Sequence, residues 1–270
     1  MRAMKNMDIY WKMVLTAIRA KMEYKASFLF LLFALIFYYL GQLGVILVVL
    51  AKFKNINGWT LGEMAMLYGL LVFSQGLATL FFASLNYFES LIINGDFDRF
   101  LVRPLNPLGQ ILVNNFEISS IAHFIIGSTA LYYGSVRAGV EWTLVKASFL
   151  PFVIAGAVLI HGGVRLAVSA VAFWTIRNRS LVHTIVYSSK EFILYPVSIY
   201  NFWMQVFLTI VFPLAFINFY PSHYFLARDS ASLLFHPAIQ YLTPAVGLLV
   251  FGVAYVFWRF GVNHYQSVGN

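Results

Sequence analysis

The chain has no cysteine and few charged residues, and each shortage excludes a class of protein. Without cysteine there is no disulfide framework, no thiolate metal site and no cysteine nucleophile. Charged residues make up 10% of the 270 residues, whereas a soluble domain carries about 25%. Hydrophobic residues reach 61%, which is more than a soluble fold could hide from water. The composition therefore predicts an all-α integral membrane protein whose solvent is lipid.

The sequence also lacks the common signatures of an enzyme. It contains no Gly-x-x-x-x-Gly-Lys-Ser/Thr loop for nucleotide phosphates and no Gly-x-Ser-x-Gly turn for a nucleophilic serine. Its six histidines are scattered, and none has another at the i+3 or i+4 position that would favour a metal site on one helix. We therefore expect no catalytic residue, no metal ligand and no cofactor bound by this chain.

The formal net charge of +8 is concentrated beside apolar segments, most densely at the N-terminus. In residues 1–26, Lys5, Lys12 and Arg19 recur seven apart, opposite an apolar stripe. This pattern predicts a basic amphipathic helix lying in the membrane interface, with a solvated basic tail as the alternative. Basic residues beside spans favour contact with anionic lipid, and we expect no nucleic acid partner.

Residues 27–270 are predicted to form a single transmembrane domain of six spans, since a helix needs roughly 20 residues to cross a bilayer. Most Lys and Arg residues near the spans then fall on the side of the N-terminus, which predicts that both termini are cytoplasmic. Residues 180–196 are either an interfacial helix or a further inserted segment. Residues 220–244 are rich in proline yet apolar, which predicts a re-entrant outer segment. The predicted spans are 27–50, 61–88, 108–133, 147–174, 200–219 and 245–260.

Small residues recur every seven positions in the second predicted span, at Gly62, Gly69, Gly76 and Ala83. Seven residues nearly complete two helical turns, so the four share one face. Glycine weakens a helix, and close helix packing is the usual reason for it in lipid. The face is expected to pack on another span of this chain or on a second copy of it.

Two charged residues lie deep within predicted spans, Glu117 in the third and Arg165 in the fourth. Both are about nine residues from the cytoplasmic end, which places them roughly 13–14 Å deep at a rise of 1.5 Å per residue. The matching depth predicts an ion pair, and His161, one turn before Arg165, shares its face. Such a pair either locks two helices together or belongs to a pathway.

A short polar stretch between the second and third spans, residues 89–107, interrupts this apolar chain. It predicts an amphipathic cytoplasmic helix that docks into a soluble partner, with an ordinary solvated turn as the alternative. Phe88, Leu91, Ile92 and Phe97 would form its apolar side together with Phe100 and Leu101. The polar residues that would give the contact its specificity are Glu89, Asp96, Asp98, Arg99 and Arg103.

Three segments give the chain a resemblance to a known family. Residues 92–107 resemble a Gly-x-x-Asp-x-x-Leu-x-Arg-Pro loop, and residues 212–221 a Pro-x-Ala-Phe-x-x-x-Tyr-Pro segment. Residues 258–269 resemble a Trp-x-x-Gly-x-x-x-Tyr-x-Ser-x-Gly ending. All three patterns are similar to those of ABC-2 family transporter proteins, the permease subunits of type-2 ABC exporters in prokaryotic membranes.

The resemblance implies a six-span fold preceded by an interface helix, with short re-entrant helices in residues 220–244. It implies that residues 89–107 form a coupling helix seated on a separate ABC ATPase subunit, which would bind ATP and Mg. It also narrows the expected contact to Gly95, Asp96, Phe97, Asp98, Arg99, Phe100, Leu101, Arg103 and Pro104. A second permease chain would complete a homodimer or heterodimer. The expected function is ATP-driven export of a lipid, a hydrophobic drug or a glycan. A non-transporting scaffold or assembly protein and an ion-driven secondary transporter remain the alternatives.

Overall fold

A computed structural model describes residues 2–230 and 233–267, with side chains from residue 9 onward. Apart from an isolated bridge between Ile56 and Trp59, these residues form helices and connecting turns. The helices are α1 (Arg2–Glu23), α2 (Lys25–Phe53), α3 (Leu61–Phe82), α4 (Phe88–Ile93), α5 (Asp96–Leu101), α6 (Pro107–Asn114), α7 (Ile121–Arg137), α8 (Leu144–Ala170), α9 (Ala172–Thr175), α10 (Arg179–Leu181), α11 (Phe202–Val206), α12 (Phe219–Phe225) and α13 (Thr243–His264).

In the part of the chain that the structure describes, four helical stretches are long and apolar enough to cross a membrane: Lys25–Phe53, Leu61–Ile93, Leu144–Thr175 and Thr243–His264. They coincide with the first, second, fourth and sixth predicted spans. A fifth candidate consists of Phe202–Val211 and Leu214–Phe225, two stretches bent by 78° at the break between them. The fifth predicted span, residues 200–219, is therefore sharply bent in the structure. Pro213 lies at the bend and cannot donate a backbone hydrogen bond to continue the helix.

The third predicted span, residues 108–133, is not a continuous helix either. It divides into α6 and α7, and the backbone is extended at Glu117 between them. Asn114 and Asn115 at the end of α6 favour such a break, because asparagine side chains compete for backbone hydrogen bonds. α7 alone has 17 residues, somewhat fewer than the roughly 20 that a perpendicular crossing requires.

The bundle is built on α3, which packs against both α7 and α8, while α8 also packs along α13. The glycine stripe of α3 faces α7 of the same chain. A Cβ atom on Gly69 would lie 2.6 Å from the backbone nitrogen of Leu131. From the other side, Gly127 and Gly134 of α7 abut the backbone of α3. Ala83, the last member of the stripe, is buried just beyond the end of α3.

Both ends of the chain approach the polar stretch 89–107 at one end of the bundle. The Tyr10 hydroxyl of α1 lies beside Gly109 of α6, and the Tyr265 ring lies 4.9 Å from the Phe97 ring. At the opposite end, Arg228 forms an ion pair with Glu63 at the start of α3. This arrangement gives the bundle two chemically distinct ends.

The α3–α7 seam predicts that Gly69→Ala destabilises the protein, because the added methyl group meets backbone that cannot move aside. We expect a loss of about 1–3 kcal/mol, the usual cost of overpacking. Gly252→Ala in α13 is the matched control, because nothing lies within 4 Å of a Cβ at that position. The midpoint of thermal unfolding in detergent is measured for both variants by monitoring the loss of monodisperse protein. Equal midpoints for the two variants would contradict the seam.

Candidate functional site

The polar stretch 89–107 begins with two short helices, α4 and α5, which are joined by a turn at Gly95. Gly95 has φ of 70°, a left-handed conformation that side chains other than glycine adopt at a cost. Its amide donates to the carbonyl of Ile92, which closes the end of α4. The glycine of the first recognised motif is therefore required by the turn itself.

The inner face of α5 is buried against its own chain. The Phe97 ring meets those of Phe88 at 5.3 Å and Tyr265 at 4.9 Å, both nearly edge to face. Phe173 and Trp258 complete this aromatic cluster. Such contacts contribute about 0.5–1.5 kcal/mol per pair beyond burial. The expectation that Phe88, Ile92, Phe97 and Phe100 offer an apolar side to a partner is therefore wrong, because all four are buried within the chain.

The outer face of α5 and the turn after it carry the surface that is free to meet another molecule. Val102 is 84% exposed, and Leu101 beside it is also exposed. Arg99 and Arg103 flank these two apolar residues, and Pro104 follows. Arg99 contacts Asp96 at 3.4 Å, but both side chains are too exposed for the pair to be strong. We call residues 99 and 101–104 the exposed strip.

Gln110 of α6 fixes the backbone on which the exposed strip lies. Its buried amide nitrogen donates to the carbonyl of Phe100 at 2.9 Å and to that of Leu105 at 3.2 Å. Asn106 caps α6 by accepting from the amide of Gly109. The Asn-Pro pair at 106–107 is a recognisable helix start, whereas nothing in the sequence marks Gln110.

Glu89 serves the fold of its own chain. Its carboxylate accepts from the backbone amides of Asn178 and Arg179 at 2.6 and 2.5 Å. The Asn178 side chain donates in turn to the carbonyl of Val168 near the end of α8. α4 is thus tied to the connection that follows α8 and α9.

The first and third recognised motifs meet in space. Asp98 of α5 accepts from the hydroxyl of Ser267 at 2.5 Å, and Phe97 packs between Trp258 and Tyr265. Gly261 is needed in the same place, because a side chain there would strike the ring of Phe173. Gly269, the last residue of the pattern, lies outside the described residues. The two motifs therefore build one packed unit.

The second motif, residues 212–221, lies in the bent segment between α11 and α12. The Tyr220 hydroxyl is 2.7 Å from that of Thr209, which closes the bend across Pro213. The buried Asn218 side chain donates to the carbonyls of Ile193 and Leu67. Asn218 thereby holds residues 182–193, an irregular run of helical turns, against α3.

The expected ion pair between Glu117 and Arg165 is not formed. The Glu117 carboxylate accepts from the Lys21 ammonium of α1 at 2.6 Å and from the Ser119 hydroxyl at 2.8 Å. Arg165 donates to the hydroxyl of Thr79 at 3.2 Å. The break between α6 and α7 explains the difference, because it removes Glu117 from the helical register on which the pairing depended. His161 is partly buried near Arg165, and its buried Nε2 has no hydrogen-bond partner among the described residues.

The contact between Lys21 and Glu117 ties the N-terminal helix to the bundle. Glu117→Lys is expected to detach the end of α1, and Lys21→Glu in the same chain is expected to restore it. Because the chain has no cysteine, a single reporter Ala20→Cys can be labelled cleanly to follow the accessibility of this helix. Glu117→Lys combined with Arg165→Glu is the control. Recovery in that control alone would contradict the observed pairing.

Comparisons with known proteins agree with the resemblance noted in the sequence. The model of the family described as ABC-2 family transporter protein matches residues 35–269. The searches of curated proteins and of solved structures found no match. The family match covers most of the chain, and it coincides with a helical fold containing several helices long enough to span a membrane. The chain therefore belongs to the ABC-2 family transporter proteins and is a multi-pass membrane permease of the type-2 ABC class.

Proposed function

We propose that this permease couples ATP hydrolysis on a separate ABC ATPase subunit to export, and that it does so through residues 95–104. The observation that carries the proposal is the division of α5 into two faces. Phe97 locks the inner face into the aromatic cluster, while the exposed strip presents Val102 between two arginines. A docking element needs both properties, because it must be accessible to a partner and stiff toward its own chain.

The aromatic cluster supplies a mechanical path from α5 into the bundle. Phe97 contacts Phe88 at the start of α4, which continues from α3 through the turn at Ala83–Tyr87. It also contacts Phe173 of α9 and Trp258 of α13. A push on α5 would therefore reach α3, α9 and α13 together.

The energy of such coupling must come from different contacts in the two states of the ATPase. A partner that binds the exposed strip equally well with and without ATP would transmit nothing. The arginines at 99 and 103 favour an acidic rim on the partner, and Leu101 and Val102 favour a shallow apolar groove between the acids. ATP and Mg would be held by that partner.

The proposed topology places α1, the exposed strip and the C-terminus on the cytoplasmic side of a prokaryotic cell membrane. The contacts of Tyr10 with Gly109 and of Tyr265 with Phe97 support a common side for all three. A second permease chain, identical or related, would complete the translocation path. The cargo would be a lipid, a hydrophobic drug or a glycan.

Removing an arginine from the exposed strip is expected to weaken association with the ATPase. Arg99→Ala and Arg103→Ala should each lower the affinity about tenfold, which corresponds to ~1.4 kcal/mol. Arg137→Ala is the matched control, because Arg137 is exposed at the opposite end of the bundle. Co-purification of the ATPase and its binding isotherm in lipid nanodiscs measure the effect. Unchanged binding in both strip variants would remove the docking assignment and favour a scaffold or an ion-driven transporter.

Weakening the aromatic cluster should leave docking of the ATPase intact while it abolishes the transmission of its motion into the bundle. Phe97→Leu keeps the exposed strip but removes the ring contacts, so the ATPase should bind normally while its motion is lost. A single Leu35→Cys reporter in the cysteine-free chain would show an ATP-dependent change in labelling only when coupling is intact. Phe30→Leu, at an exposed ring of α2, is the control. ATP-dependent labelling that persists in Phe97→Leu would show that the cluster does not carry the motion.

A further inference from the structure

A cavity of about 680 Å³ whose lining includes several polar and charged side chains lies among the otherwise apolar helices. Its walls come from α2, α3, α8 and residues 183–191, and it reaches from the start of α7 to the turn after α3. The residues that decide its chemistry are Leu31, Tyr38, Thr79, Glu117, Arg165 and Lys190. Neither the family motifs nor the coupling proposal assigns a role to this cavity.

Arg165 is the group in this cavity whose bonding is incomplete. Its side chain is only 3% exposed, and its Nη2 donates to the Thr79 hydroxyl. Its Nε and Nη1 are buried without a hydrogen-bond partner in the described residues. A guanidinium group carries five donors and remains charged, so burying it with so few partners is costly. The missing partner should be an anion with several oxygen atoms.

The carboxylates in the cavity are already engaged elsewhere. Glu117 is paired with Lys21. Glu191 accepts from the Gln42 amide at 3.1 Å and from the Tyr38 hydroxyl at 3.2 Å. Among the described residues, neither acid lies within 4.0 Å of the Arg165 guanidinium. The protein thus leaves the anion position beside Arg165 open.

Lys190 provides a second positive charge in the cavity lining. Its ammonium lies over the rings of Tyr38 and Tyr39, 4.9 and 5.7 Å from their centres. These contacts hold the ammonium without neutralising it. A guanidinium offers paired donors, and an ammonium adds a point charge, which is a combination suited to a phosphate group.

The opening of the cavity indicates the source of the phosphate. Leu31 and Tyr38 of α2 and Tyr187 across from them line the cavity and are exposed. The same helix exposes Phe30, Phe33 and Phe37, which gives it a broad apolar surface. A molecule entering between α2 and residues 183–191 would therefore keep an apolar tail outside while its head reached Arg165. Free phosphate has no apolar tail that would favour its approach across that apolar surface.

We propose that this cavity binds the phosphate headgroup of an anionic membrane lipid, with Arg165 and Lys190 as the binding residues. The inference concerns binding alone and does not depend on ATP coupling or on export. The Arg165 guanidinium would donate from Nε and Nη1 to two phosphate oxygens, and Lys190 would contribute its charge. The acyl chains would leave past Leu31 into the surrounding lipid.

Native mass spectrometry of the full chain, titrated with dioleoyl phosphatidylglycerol in detergent, tests the proposal. Dioleoyl phosphatidylcholine tests the need for net negative charge, and inorganic phosphate tests the need for a tail. Arg165→Gln and Lys190→Gln are the site variants, with Arg165→Lys as the conservative one. Arg177→Gln is the matched control, because it removes an exposed arginine outside the cavity. Size-exclusion profiles report whether each variant is folded.

One equivalent of phosphatidylglycerol should bind preferentially, and both glutamine variants should weaken it at least about tenfold. Arg177→Gln should stay within about twofold, and Arg165→Lys should recover part of the affinity because it restores the charge. If Arg165→Gln does not fold, the affinity of Lys190→Gln for phosphatidylglycerol decides the test. Equal binding of phosphatidylcholine, or equal affinity in the folded site variants and the control, would overturn the proposal. Binding of inorganic phosphate that displaces the lipid would also overturn it, in favour of a free anion.

Discussion

Close backbone contact between helices is the constraint on which this bundle depends. In lipid, helices gain little by hiding apolar side chains from a solvent that is equally apolar, so packing must supply the attraction. α3 and α7 interlock through glycines on both helices, and α8 and α13 approach at Gly156 and Gly247. Of the 18 most apolar consecutive residues in α2, only 11% are buried, whereas 72% are buried in the corresponding 18 residues of Leu61–Ile93. The protein therefore has a buried centre around α3, and α2 lies at its periphery.

Irregular backbone is tolerated here because side chains supply the hydrogen bonds that the helices omit. Asn218 meets the carbonyls of Ile193 and Leu67, and Asn178 meets that of Val168. Thr243 donates to the carbonyl of Phe216 beside the bend at Pro213. Unpaired backbone groups are expensive away from water, so each break needs such a partner. These buried amides and hydroxyls are what allows residues 182–225 to depart from regular helix.

The sequence was sufficient to predict the class of fold because its evidence is a sum over many residues. Length and apolarity predicted four of the six spans as helices that the structure contains, and the seven-residue glycine stripe predicted a packing face. Hydropathy did not predict the sharp bend in the fifth predicted span, because it measures apolarity and is insensitive to the direction of the chain, which turns at Pro213. The pairing of Glu117 failed for a related reason. Depth along an assumed straight helix cannot anticipate the break that turns Glu117 toward Lys21 of α1.

At the candidate site, the sequence predicted an amphipathic segment but assigned its aromatic residues to the wrong neighbour. Amphipathicity shows that one face is apolar and does not show whether the chain or a partner covers it. Phe97 is covered by residues as distant in sequence as Phe173, Trp258 and Tyr265. Gln110 gave no signal at all, because a single buried amide has no period or motif.

The docking site on α5 and the lipid cavity at Arg165 are connected through α8 and α9. Phe173, which contacts Phe97, is eight residues beyond Arg165 along α8 and α9, or about 12 Å at 1.5 Å per residue. The opposite wall of the lipid cavity is α2, the least buried of the four long apolar stretches. Motion transmitted from α5 would therefore displace Arg165 together with the buried centre around α3. It would not drive α2 directly. A headgroup bound between α8, which would move with α5, and α2, which would not, would make different contacts in the two states of the ATPase. Coupling between distant sites requires such a difference.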